Sequence, residues 1–336
     1  MAYTEEDLTA AEKAGILKPA QVESFRRFVT ERHHGPAIDE ENFRFITSFN
    51  DIFVSFACLL VIWAGHGLLE LYFSNQINFI LTAGLTWGLA EYFSRKRHLA
   101  LPSITLLFAF VYCAMKATDV APGTFSIDTE RVNLITSSLA AGIAAFLHWY
   151  RFRVPITPAL GAGAVLALGI STLLYSFPSL SEYFRSILFI GGLAVLLAAM
   201  MCDLSDRDRL TYRSDSAFWL HFLAAPLLIH PPFTYLLEGT QADGLMGAGF
   251  IIGIYVLISL LSICIDRRAL MVSGLFYALY ALQSIFFNYG LVETGITLTA
   301  FVIGSGLLLL SAFWHSTRKF LVSKLPQSMQ ALLPAL

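Results

Sequence analysis

From residue 51 onward the chain alternates long apolar runs with short polar bursts. A helix that crosses a bilayer needs about 20 mostly apolar residues. The runs predict ten such helices, near 52–72, 77–93, 99–116, 132–150, 155–177, 184–202, 216–237, 245–265, 269–287 and 294–314. Residues 1–50 follow a different pattern. Thr4 before Glu5, Glu6 and Asp7 reads as an N-cap followed by acids at the positive helix end, and Gly15 as that helix's stop. Pro19 suits the first turn of a second helix, and Leu17, Val22, Phe25, Phe28 and Val29 give it an apolar stripe. After a break at His33-His34-Gly35-Pro36, residues 39–50 read as an interfacial helix with Phe45 and Phe49 on one side. The predicted organisation is a hairpin plus interfacial helix over 1–50, a bundle over 51–315 and an amphipathic tail over 316–336.

Composition agrees with that pattern. The chain is 56% hydrophobic and 14% charged, against about a quarter charged in a soluble domain. A net charge of -2 gives no basic surface for nucleic acid. The acidic, polar start lacks the basic and apolar regions of a signal peptide. Cys58, Cys113, Cys202 and Cys264 lie in or beside apolar runs without a CxxC pair, which argues against a disulfide framework.

Orientation follows from where the basic residues fall. Positive charge gathers in cytoplasmic loops. Nineteen of the 22 Lys and Arg lie in the N-terminal segment, the tail or alternate connections, as with Arg95-Lys96-Arg97, Arg151 and Arg153, or Arg267-Arg268. Lys116, Arg131 and Arg185 fall on the other side. The expectation is an all-α polytopic bundle of about ten spans in the inner (plasma) membrane, with both termini cytoplasmic. Trp87, Trp149, Trp219 and Trp314 fall near the expected cytoplasmic ends, where indoles sit at the headgroup boundary. The tail mixes Arg318, Lys319 and Lys324 with Phe320, Leu321 and Leu325, which suits a short helix on an anionic surface. Close helix approach is expected at Gly84/Gly88, Ser138/Gly142 and Gly249/Gly253. The segment after Arg267-Arg268 loosely echoes the one after Arg97-His98.

Ionisable groups inside a span are costly, so each is a candidate site. His66 and Glu70 lie four apart on one face of the first span, flanked by Gly65 and Gly67. His230, before Pro231 and Pro232, falls at a similar outer depth, and Lys116 ends the third span in the same layer. One reading makes His66, Glu70 and His230, with Lys116 beside them, a substrate or proton site in the outer leaflet. The other has His66 bonded to a neighbouring helix and Glu70 in headgroup water. On the cytoplasmic side the candidates are Asp203, Asp206, Asp215 and His221, with the loop acids paired to Arg207, Arg209 or Arg213 as an anchor. Glu91 and His148 are expected to reach the interface, and Tyr277, Tyr280 and Gln283 to cement two helices or line a polar path.

Other chemistries find less support. The acids of 203–208 lack the second aspartate motif of a magnesium–diphosphate site, and arginines interleave them. Zinc would have only His and Glu ligands with no third position fixed. Haem could take His66 and His230 as one axial pair, but His221 has no histidine partner at its own depth. No P-loop, GxSxG or HExxH occurs, so neither a catalytic residue nor a metal or other cofactor is expected.

Ala14-Gly15-Ile16-Leu17-Lys18-Pro19-Ala20-Gln21 near the start and Lys319-Phe320-Leu321-Val322-Ser323-Lys324-Leu325-Pro326 near the end resemble a group of uncharacterised bacterial polytopic inner-membrane proteins. Those proteins pair a short soluble helical hairpin with eight or more spans. The resemblance implies that plan and supplies no site residues. Three functions fit: a transporter or permease for a small-molecule substrate, a non-catalytic scaffold or assembly factor recruiting a protein partner through residues 1–50, or a membrane enzyme acting on lipid-linked substrates.

Overall fold

The computed structural model describes residues 49–119, 127–206, 212–238, 245–288, 295–330 and 333, with scattered residues between 8 and 25. Every regular element among the described residues is helical. The chain divides into two compact units, Met1–Ile46 and Thr47–Leu336. In the first unit, helical residues around Ala10 end where Ala14 N–H donates to the Ala10 carbonyl (2.9 Å) and Gly15 turns to φ +72°. A side chain rarely adopts that angle, which makes glycine the natural stop. Lys18 N–H then donates to Gln21 Oε1 (3.0 Å), and Val22 is buried. The expected Thr4 cap, the Pro19 start, Phe28, Val29, the break at 33–36 and the Phe45 side of the interfacial helix lie outside the described residues.

The second unit is a series of long helices. They are α1 (Phe49–Glu70), α2 (Asn75–Ala90, continued by a π-helical turn Glu91–Lys96), α3 (Ala100–Ala117), α4 (Ile127–Phe152), α5 (Thr157–Ser176) and α6 (Phe184–Ser205). There follow α7 (Tyr212–Glu238), α8 (Leu245–Ile265), α9 (Ala269–Asn288), α10 (Gly295–Ala312) and the short α11 (Trp314–Ser323) and α12 (Gln327–Gln330). Each predicted apolar run therefore coincides with a helix. Seven are long and apolar enough to cross a membrane, and an eighth if the bent pair α10–α11 is one span. The exceptions are α2 and α7. α2 has 16 residues before its π-helical turn, and α7 carries His221, His230 and three prolines, Pro226, Pro231 and Pro232. Large apolar side chains such as Phe56, Trp63, Phe146, Phe276 and Leu308 point outward, as expected of surfaces solvated by lipid tails.

Packing proceeds by consecutive pairs: α2 with α3, α4 with α5, α6 with α7, and α8 with α9. Further contacts tie α1 to α2 and α3, α5 to α7, and α7 to α9. Three of the connecting turns use a non-glycine residue in the left-handed region: His98 (φ 51°), Arg153 (φ 55°) and Asp266 (φ 59°). At Asp266 the motif closes fully. Asp266 N–H donates to the Ile263 carbonyl (3.2 Å) and Arg267 N–H to the Ser262 carbonyl (3.0 Å), the paired bonds that terminate a helix with one left-handed residue. Glycine usually fills that position; an aspartate there keeps a carboxylate for other use.

Small residues do allow close approach, though mostly at positions other than those expected. Gly142 faces Ala164 and Gly161 faces Ala145, which joins α4 to α5. A Cβ added at Gly84, Gly88, Gly249 or Gly253 would meet nothing within 4 Å. The tightest glycine is Gly192 on α6, where an added Cβ would lie 2.8 Å from Leu227 Cβ and 3.0 Å from its backbone carbon. GxxxG-like spacing in the sequence does not say which face a helix turns to its neighbour, and here α6 presents the adjacent Gly191-Gly192 pair instead.

The tail also departs from a helix merely lying on a surface. α11 bends 72° from α10, and Trp314, Arg318 and Val322, one turn apart, are buried. Val322 and Leu333 pack with Ala225, Ile265, Ala269 and Leu270. One face is docked on protein.

Gly192→Ala should lower the unfolding midpoint of the detergent-solubilised protein, at an overpacking cost of about 1–3 kcal/mol. Gly249→Ala should leave it unchanged or slightly raised. Equal effects at the two positions would show that α6 and α7 are not in backbone contact at Gly192.

Candidate functional site

The most constrained polar cluster joins α6, α7 and the α8–α9 turn. Asp203 lies in the last turn of α6, and His221 lies in the third turn of α7, the helix packed most extensively on α6. Arg267 follows the left-handed Asp266, and its carbonyl accepts a hydrogen bond from the Ser262 hydroxyl. The termination motif thus fixes where the guanidinium starts, and it reaches back to the α6–α7 pair.

The contacts converge on one carboxylate. Arg267 Nη2 donates to Asp203 Oδ1 at 2.5 Å and Arg267 Nε to Oδ2 at 3.3 Å. His221 Nε2 lies 2.8 Å from Asp203 Oδ2. Arg267 also donates to the Ser214 carbonyl at 3.5 Å. Asp203, His221 and Arg267 are 3%, 0% and 2% exposed, so water contributes almost nothing to their solvation. A fork-to-fork arginine–carboxylate pair supplies both attraction and geometry. With neutral His221 the cluster sums to zero charge; one added proton makes it +1. In a medium of low dielectric that single charge is costly unless the surroundings rearrange. The arrangement therefore ties the charge of the cluster to the packing of four helices.

Asp266 anchors the same turn from the other side. It accepts a hydrogen bond from Trp314 Nε1 (2.8 Å) and faces Arg318 Nε at 3.8 Å. Arg268 lies over the Trp314 ring, 4.9 Å from its centroid. Three consecutive residues therefore bind three ways: Asp266 and Arg268 to α11, and Arg267 to α6. Trp314, expected at the headgroup boundary, is buried as a strut.

The outer candidates fall into separate neighbourhoods. His66 is half-buried against α2. Its Nδ1 lies 3.3 Å from Thr82 Oγ1, and Asn78 Nδ2 is 3.5 Å from its Nε2 and 3.2 Å from its carbonyl. Thr82 donates its hydroxyl proton to the Asn78 carbonyl (2.9 Å), so its oxygen accepts from Nδ1–H and a neutral imidazole is satisfied on both sides. The ring also packs on Phe79, with centroids 4.6 Å apart. Glu70 is exposed at the end of α1. His230 is exposed and hydrogen-bonds through Nδ1 to the Tyr277 hydroxyl on α9, and Tyr277 stacks on Phe233 at 4.5 Å. Lys116 pairs locally with Asp119 at 2.8 Å. His66, His230 and Lys116 thus have different partners on different elements. Tyr280 and Gln283 are exposed, so of that stripe Tyr277 makes the helix-to-helix bond.

On the basic side, Asp206 closes α6 with its N–H on the Asp203 carbonyl (3.2 Å), and Asp215 is exposed on the first turn of α7. Asp203 takes Arg267 from the next helical pair as its partner, rather than the arginines of its own loop; Arg207, Asp208 and Arg209 lie outside the described residues. Glu91 bridges Arg151 on α4 (2.5 and 3.0 Å) and Arg95 (3.3 Å). His148 is 1% exposed among Trp87, Phe110 and Phe152 and does not reach the interface. Among the described residues, no three His, Cys, Asp or Glu gather as a metal site.

Two features escaped the sequence reading. Arg267 looked like one more basic loop residue, and nothing in its neighbours signals burial. Asn78, Thr82 and Thr86, all buried at four-residue steps on α2, carried a legible signal: one polar stripe along an apolar helix. No family model, curated protein or solved structure matches the chain.

Removing one member of the buried pair should cost more than removing both. Arg267→Met alone should destabilise the solubilised protein by about 3–5 kcal/mol, because it strands the Asp203 carboxylate, whereas Asp203→Leu with Arg267→Met should recover most of that loss. Denaturant unfolding of the two single variants and the double variant reads the difference. Additive losses would mean the two groups do not share a desolvated site.

Proposed function

We propose that this chain is a proton-linked transporter of a small-molecule substrate in the inner (plasma) membrane, with ten spans, cytoplasmic termini and His221–Asp203–Arg267 as its proton-responsive element. The observation that carries the reading is the burial of this cluster, whose histidine sits on α7, a helix with three internal prolines. An ionisable group inside a membrane bundle is costly to keep and marks ion or substrate pathways. Histidine is the side chain whose charge changes near neutral pH. Each proline removes one backbone hydrogen bond and frees a carbonyl, and freed carbonyls at membrane depth are tolerated where they face protein or a water-filled cavity. α7 carries His221 in its third turn and His230, bonded to Tyr277, nine residues further on. Movement of this helix between two packings would expose one histidine or the other.

The ten-span topology is supported by the coincidence of each apolar run with a helix and by the one-sided distribution of basic residues. In this reading His66, held by Asn78 and Thr82, is a structural residue of the α1–α2 pair. Glu70 and His230 remain the outer groups that can meet substrate.

Inverted vesicles containing the full chain, energised to hold a pH gradient, test the proposal. A panel of amino acids, sugars and carboxylates should contain a solute class whose addition dissipates the gradient. His221→Gln should abolish that response, and His66→Ala with retained folding should not. A response undiminished in His221→Gln would remove the cluster from coupling, and no response to any class would remove the transporter reading.

A scaffold reading has one observation in its favour: residues Met1–Ile46 form a compact unit of their own. Deleting residues 2–35 separates the two readings. Solute-linked proton movement should survive in the inserted truncation if the bundle is a transporter, whereas a scaffold should lose its cellular phenotype entirely.

A further inference from the structure

Each face of α11 has a different environment. Its inward face, Trp314, Arg318 and Val322, is buried. Its outward face carries Lys319, Phe320 and Lys324, all exposed, with Lys324 Nζ 4.1 Å from the Phe320 ring centroid. Phe313 at the bend is also exposed. The 72° bend from α10 lays α11 close to the bilayer plane when α10 crosses it. An amphipathic helix at that angle, with aromatic rings and lysines on its free face, matches a leaflet rich in anionic headgroups: the rings enter the acyl boundary and the ammonium groups meet phosphates.

The inward face does not end in a generic apolar patch. Trp314 bonds Asp266 and stacks with Arg268, and Arg318 faces Asp266. Between those two residues lies Arg267, the partner of Asp203. Whatever holds α11 in place therefore holds Arg267 in the buried cluster. We infer that anionic phospholipid headgroups bound by Lys319 and Lys324 regulate the Asp203–His221–Arg267 cluster, with α11 as the link. Its consequence for transport rests on the function proposed above, while the mechanical link stands on the contacts alone. In neutral lipid α11 is held by its protein contacts alone; anionic lipid adds a second anchor that further restrains both α11 and the Arg267 turn.

Hydrogen exchange on the full-length protein in nanodiscs reads this without measuring transport, so failure of the transport proposal leaves the result interpretable. Discs of phosphatidylcholine alone are compared with discs containing phosphatidylglycerol. A basic residue near an anionic surface contributes about fivefold in affinity, so the two lysines should slow exchange roughly twenty-five-fold in residues 314–323, with a parallel slowing in 262–268. High salt should reverse both effects. Lys319→Gln with Lys324→Gln, at exposed positions that leave folding intact, should erase the lipid dependence of both segments. Trp314→Phe should keep the response of 314–323 and weaken its transmission to 262–268. Equal exchange in the two lipids would overturn the inference, as would a lipid response retained without the lysines or confined to 314–323 in the native chain. Protection that appears only when an acidic soluble protein is added would assign the face to a protein partner and overturn it likewise.

Discussion

A guanidinium and a carboxylate removed from water hold each other because water no longer competes for either. Arg267 and Asp203 meet at 2.5 Å with almost no solvent contact, and the rest of the basic side is arranged around that fact. The pair costs desolvation that an apolar pair would not. It delivers direction: the fork fixes the α8–α9 turn against the end of α6, and His221 completes the carboxylate's shell from α7. A bundle held only by lipid-exposed leucines and small residues can slide, since lipid tails solvate apolar faces as well as neighbouring helices do. A buried ion pair cannot slide without breaking.

The surrounding backbone serves the same pair. Asp266 in the left-handed region ends α8 and turns the chain so that Arg267 points inward, while its own carboxylate is taken by Trp314 and Arg318. Gly192 lets α6 come close to α7 near Leu227, on the helix pair that also carries Asp203 and His221. At the other end of the bundle the equivalent role falls to neutral groups. His66, Asn78 and Thr82 join α1 to α2 through hydrogen bonds that require no net charge, a less demanding device. The two clusters differ in kind: His66 joins neutral partners, whereas His221 borders a carboxylate already shared with Arg267.

The helical plan was legible because a span must satisfy its backbone internally and present apolar side chains, and both demands are written locally. Gly15 as a stop was readable because the left-handed turn it makes favours glycine. The site was legible only in part. Asp203 and His221 stood out as polar groups beside apolar runs, yet their mutual contact depends on the packing of α6 on α7, which hydropathy does not encode. Arg267 was invisible: an arginine after a span looks the same whether it faces headgroups or a buried aspartate. Depth along the helix put His66 and His230 in one layer, but depth leaves rotation and lateral position undetermined. Their partners turned out to be Thr82 and Tyr277, on different helices. Trp314 and His148 turned out to be packed against protein, since sequence position near a helix end does not tell which way the ring points.

Proton NMR of histidine-labelled protein in detergent or nanodiscs bears most directly on the central claim that His221 donates into a buried carboxylate shared with Arg267. A strongly downfield imidazole N–H signal, slow to exchange with water, should be present in the native chain, vanish in His221→Gln and shift in Arg267→Met. A native spectrum without such a signal, or one unchanged by Arg267→Met, would contradict the cluster.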